Sequence, residues 1–237
     1  MKFAIMQPYF FPYIGYFELI YRSDFWIVFD TPQFIQQGWI HRNRILHPRE
    51  GWQFIVVPRK RHPHTARICE IVIAEDEAWR ERILGQIGHY KRRAPFYKAV
   101  RDLVIDCLYG SFGSLSELNV KSLEKVTAYL GIPFRYAVFS QMEISSMQFE
   151  DSTDRAIKVA RILGATEYIN PPGGAHLFDR DRFEEAGIKL TIQKPVDFVY
   201  DCDGYTFEPN LSIIDVMMWN SPDSITRYLE SRSQEGI

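Results

Sequence analysis

The chain has little of what usually announces a function. Its three cysteines, Cys69, Cys107 and Cys202, lie far apart with no CxxC pair. That spacing excludes a disulfide framework and a structural zinc site, and it suits a reducing compartment. No apolar run approaches a membrane span, and the six residues before Gln7-Pro8 are too short for a secretory leader. Charge of one sign is lacking too: 28 Lys plus Arg face 30 Asp plus Glu, a net of −2. No global field therefore draws nucleic acid or acidic lipid. HExxH, GxGxxG, Walker and GxSxG sequences are missing, which removes the usual grounds for metalloprotease, dinucleotide, P-loop or hydrolase chemistry. The histidines (His41, His47, His62, His64, His89 and His176) share no ligand spacing, so no metal is assigned. The expectation is a cytoplasmic protein with a small-molecule substrate, no nucleic-acid or membrane partner and an unknown cofactor.

What is present is concentrated at the start. Phe3 to Met6 reads as a strand, Gln7 to Gly15 as a turn, Tyr16 to Arg22 as a helix and Asp24 to Asp30 as a second apolar strand. The turn crowds Tyr9, Phe10, Phe11, Tyr13 and Tyr16 around Pro8 and Pro12, where loops usually carry Ser, Asn and Asp. Two prolines and Gly15 restrict its backbone to few paths. Such a turn is either a ligand loop feeding a helix N-terminus or a hydrophobic lid on the core.

Further along, Trp52 to Val57 and Ile68 to Ile73 read as strands joined by the basic tract Arg59-Lys60-Arg61-His62-Pro63-His64, that is, as a hairpin. From Asp76 to Leu130 the apolar spacing turns helical, through Trp79, Ile83, Ile87 and Tyr90, then Val100, Leu103, Val104 and Cys107, then Leu118, Leu123 and Val126. The last third alternates: strand Phe134–Phe139, helix Thr153–Leu163 capped by Ser152, strand Glu167–Ile169, helix Asp179–Ala186 and strand Lys189–Gln193. Ser212 to Asp215 fits a capping box, Ser221-Pro222-Asp223 opens a final helix, and Ser231 to Ile237 reads as frayed. The expected fold is α/β: one domain over residues 1–237 with a mostly parallel Rossmann-like sheet flanked by helices, a β-hairpin and a helical insertion over 76–131.

In a parallel sheet the strand ends at Gln7, Asp30 and Asn170 share one edge, and after Asn170 comes the bend Pro171-Pro172-Gly173-Gly174. Convergence of the aromatic turn, Asp30 and the diglycine bend in a single pocket is the central expectation. Asp30 reads as a general base, as a partner for Arg42 or Arg44, or as a turn acid. Capping accounts for Ser212 and Asp215, and Cys202 reads as a buried thiol.

The motif Gln7-Pro8-Tyr9-Phe10-Phe11-Pro12-Tyr13-Ile14-Gly15-Tyr16 resembles the WbqC-like family. So do Phe29-Asp30, Gln33-Phe34, Arg42-Asn43-Arg44-Ile45, Tyr168, and Leu211 to Asp215 with Asn220. Tyr13 stands where a Trp is more usual. The resemblance spans nearly the whole chain and implies surface-polysaccharide (O-antigen) biosynthesis, with acyl or aminoacyl transfer to the amino group of a nucleotide-linked sugar. On that reading Arg42, Arg44 and the Gly173 and Gly174 amides hold the diphosphate, while Tyr9 and Tyr16 meet base or sugar, with Gln33 and Tyr168 also lining the site. Asp30 then takes the proton, and Gln7 or Asn43 stabilises the oxyanion. The opening motif is also similar to the first motif of HIGH-type nucleotidylyltransferases, with Tyr13 and Tyr16 where those enzymes carry histidines. Tyrosine donates a hydrogen bond but supplies no imidazolium charge. A third alternative is a non-catalytic accessory protein that binds a sugar nucleotide.

Overall fold

The computed structural model describes residues 1–75 and 78–234. Five strands form one sheet: β1 (Lys2–Met6), β2 (Phe25–Val28), β5 (Tyr136–Val138), β6 (Glu167–Asn170) and β7 (Lys189–Ile192). Their spatial order is β5-β2-β1-β6-β7, and every neighbouring pair is parallel. The chain starts at the sheet's centre, builds outward through β2 and β5, then returns to β1 and builds the other way through β6 and β7. The winding therefore reverses between β1 and β6.

Alternation along β1 shows why the sheet is covered on both sides. Phe3 and Ile5 face one layer, with Ile27, Tyr168 and the helices α5 (Ser152–Leu163) and α6 (Arg180–Glu185). Ala4 faces the other layer, with Trp26, Val28 and the helices α1 (Ile14–Arg22) and α8 (Pro222–Gln234). Period-two side chains sandwiched between helices are what a parallel sheet requires. Between the hairpin and β5 in sequence run α2 (Trp79–Ile87), α3 (Tyr97–Leu108) and α4 (Leu115–Leu130), whose buried faces join the α1 layer together with α7 (Ile213–Trp219). Ser114 caps α4 by accepting from the Glu117 amide, and Gly131 ends it at φ 68°. Among the described residues no helix is long and apolar enough to cross a membrane.

Several local expectations are corrected. The hairpin pairs β3 (Arg42–Leu46) with β4 (Trp52–Val56), Arg44 lying opposite Phe54. Ile68–Glu70 is instead one 3-10 turn, closed by reciprocal bonds between Arg67 and Glu70, and only an isolated bridge joins Arg59 to Ile73. Ile68 and Ile71 stand three residues apart and both are buried, a spacing that suits a single helical turn better than a strand. The cap of α5 is Asp151, not Ser152. Asp215 does not close a capping box: it is fully buried and accepts bonds from the hydroxyls of Tyr90 and Tyr200, the latter at 2.6 Å. Ser231 to Gln234 continue α8, while Glu235 to Ile237, like Asp76 and Glu77, lie outside the described residues.

Candidate functional site

The aromatic turn is held by buried polar side chains from three elements. Asn43 on β3 donates to the carbonyls of Phe10 and Phe11 at 2.9 and 2.8 Å, and its own oxygen accepts from the Arg44 amide. Asn119 on α4 donates to the carbonyls of Pro8 and Ile40 at 2.7 and 2.8 Å. Ser212, at the head of α7, donates to the Phe11 carbonyl at 2.7 Å. These clamps hold Phe11 at φ 40°, a region that bulky residues avoid at a cost of about 1–3 kcal/mol. Phe10 and Phe11 point into the core, whereas Tyr9 and Tyr13 stay partly exposed.

Beside them lies a cavity of about 480 Å³ at the carboxyl ends of β1 and β6, where the winding reverses. In open α/β sheets ligands bind at this crevice. Gln7, Tyr9 and Tyr13 form one wall, and Tyr168, Asn170 and the bend through Gly173 and Gly174 form the opposite one. The aromatic turn and the diglycine bend thus line one cavity, as expected. A Cβ on Gly174 would lie 2.6 Å from Asn170 Nδ2, so a side chain there would have to displace the Asn170 amide. Tyr168 is buried, stacked on Phe183, and bonded through its hydroxyl to Asn170 Oδ1 at 3.2 Å. Burial raises its pKa and that of Tyr9, so both hydroxyls stay protonated as donors.

One wall residue escaped the sequence reading. Arg155 projects from the first turn of α5, 4.3 Å over the Phe29 ring, with one nitrogen donating to Ser152 Oγ at 3.1 Å. Its Nε is buried and without a partner. Among the described residues no carboxylate lies within ion-pair distance of it, and burial lowers its pKa. A cation in the first turn of a helix runs against the macrodipole. That mismatch, together with the position of crossover-helix N-termini at the carboxyl edge, was the available signal.

Other predicted residues fall elsewhere. Asp30 is buried at the end of β2, and its carboxylate accepts the Ser140 amide at 2.9 Å and the Ser140 hydroxyl at 2.6 Å. It borders a separate cavity of about 570 Å³ with Cys69, Glu117, Lys121 and Tyr136, on the β5 side of the edge. The three-way convergence is therefore corrected to a two-way one: strand order sends the β2 end toward β5, away from β6. Tyr16 is in the core, its hydroxyl donating to the Gln7 carbonyl at 2.7 Å. Gln33 is exposed and bonds to His64. Arg42 is spent on the Gln37 and Gly38 carbonyls and the Phe54 ring. Asn43 and Arg44 border a third cavity of about 330 Å³ on the far side of Tyr9 and Tyr13.

A fully parallel sheet with a cavity at its point of reversal defines the class, a doubly wound α/β protein. Within that class the chain belongs to the WbqC-like protein family, whose model matches residues 7–227. It is 29% identical over 225 residues to "Uncharacterized protein Rv1507c" of Mycobacterium tuberculosis, a match covering 91% of this chain and 92% of that one. No solved structure matches the chain.

Proposed function

We propose that the cavity between β1 and β6 binds the phosphate-bearing part of a nucleotide-linked amino sugar, and that the protein transfers an acyl or aminoacyl group to the sugar's amine in surface-polysaccharide biosynthesis. The observation that carries the reading is Arg155, among the described residues the one charged side chain on the cavity wall, half-buried and lining the same cavity as a glycine bend. A guanidinium held over an aromatic ring keeps its edge donors for an anion, and the bend adds backbone amides. In the transfer the amine nitrogen forms a bond to the acyl carbon as the donor's leaving group departs. Among the described residues the wall offers no carboxylate or imidazole, and the amine proton leaves with that departing group. Asp30 is not assigned as base, because both its oxygens are engaged by Ser140.

The same bare wall favours a second reading, binding without turnover. The nucleotidylyltransferase alternative has less support, since Tyr16 donates to the Gln7 carbonyl from within the core instead of facing the cavity. Calorimetric titration with a panel of nucleotide-linked amino sugars tests the binding. Arg155→Met is expected to weaken it about tenfold to a hundredfold, the scale of a charged hydrogen bond. Undiminished affinity in that variant, or no binding to any member of the panel, refutes the proposal. Mass measurement after adding acyl donors decides between transfer and binding alone.

A further inference from the structure

Tyr9 and Tyr13 are shared by two cavities: the one at the sheet edge and a second of about 330 Å³ behind them. The second is walled by these two rings, the exposed indole of Trp39, and Arg44. Arg44 sits within cation–π range of two exposed tryptophans, its guanidinium carbon 5.4 Å from the Trp39 ring centre and 5.0 Å from that of Trp52. Its Nε is buried and unpartnered, and one terminal nitrogen donates to the Asn210 carbonyl at 3.3 Å. A guanidinium attracted to indole rings still has N–H donors to offer an anion.

The chemistry of this chamber selects among ligands. The described lining joins the rings of Trp39, Tyr9 and Tyr13 to one cation, Arg44, while the Asn43 amide is spent on the aromatic turn. A flat heteroaromatic ring carrying a phosphate fits this combination, the ring stacking on Trp39 or a tyrosine and the anion meeting Arg44.

We infer that the chamber behind Tyr9 and Tyr13 holds the purine-nucleotide handle of the activated acyl donor. This rests on the transferase reading, because a two-substrate transfer needs two adjoining sites and the tyrosine pair is their common wall. An acyl adenylate and an adenine-nucleotide thioester share that handle, so AMP and coenzyme A are the two probes. At least one is expected to bind by calorimetry. Trp39→Leu and Arg44→Met each weaken it by about tenfold or more, while Trp39→Phe, which keeps an aromatic wall, retains binding. Affinity for the nucleotide-linked sugar stays within about twofold in these variants, and Arg155→Met gives the opposite pattern. If neither probe binds, or if Trp39→Leu leaves probe affinity unchanged, the inference is overturned even where the sugar nucleotide still binds. If a probe binds as described but no sugar nucleotide does, the transferase reading fails while the chamber's assignment to a purine nucleotide stands.

Discussion

Asp215 gives the sharpest quantitative test. Its carboxylate is fully buried, between the hydroxyls of Tyr90 and Tyr200 and the Leu46 amide. Burial raises its pKa from 3.8 to about 6, hydrogen bonds from Tyr200, Tyr90, the Leu46 amide and Trp219 opposing that rise without cancelling it. A folded-state value above the unfolded one means that the folded chain binds the proton more tightly. The group's contribution to stability is therefore fully present below about pH 4 and is lost as pH rises through about 6. A shift of about two pH units corresponds to about 3 kcal/mol. Asp215→Asn keeps the shape and cannot ionise, so it removes this dependence. Urea unfolding of both proteins in steps from pH 4 to pH 7 should show wild-type stability, relative to the variant, falling by about 2 kcal/mol with rising pH, most of the full effect. A difference that stays flat to within about 0.5 kcal/mol, or that changes in the opposite direction, refutes the reasoning.

Two further perturbations probe the frame. Asn43→Ala leaves the Phe10 carbonyl without this clamp and removes one of the two side-chain donors to Phe11. An expected loss of about 2–3 kcal/mol in urea unfolding should be accompanied by weaker ligand binding, because Tyr9 and Tyr13 ride on the same turn. Glu18→Gln removes a fully buried carboxylate lying 3.1 Å from Arg22 Nε and 3.5 Å from Arg232 Nε, and should cost about 3–5 kcal/mol, read as a lowered urea midpoint.

The sheet and its helical layers were legible, because periodicity is a local signal. The pairing of β3 with β4 was not: Arg42-Asn43-Arg44 reads as a donor cluster until a facing strand is known. The site divides along the same line. Tyr9 and Gly174 could be placed together from strand ends alone, but Asp30 could not be placed apart, since only the order of strands sends the end of β2 toward Ser140. Arg155 was hidden by an ordinary helical pattern. Asn119 was too, although an Asn within a helix is a modest signal that its side chain is bonding elsewhere.

The clamps on Phe11 also bear on how the protein comes into being. Of the two side chains that donate to the Phe11 carbonyl, Asn43 lies 32 positions after it and Ser212 lies 201 positions after it. The second clamp therefore closes only once the segment that opens α7 has been made and docked. The wall formed by Tyr9 and Tyr13 thus depends for its full set of restraints on a distant part of the chain, and a chain that ends before Ser212 lacks one of them.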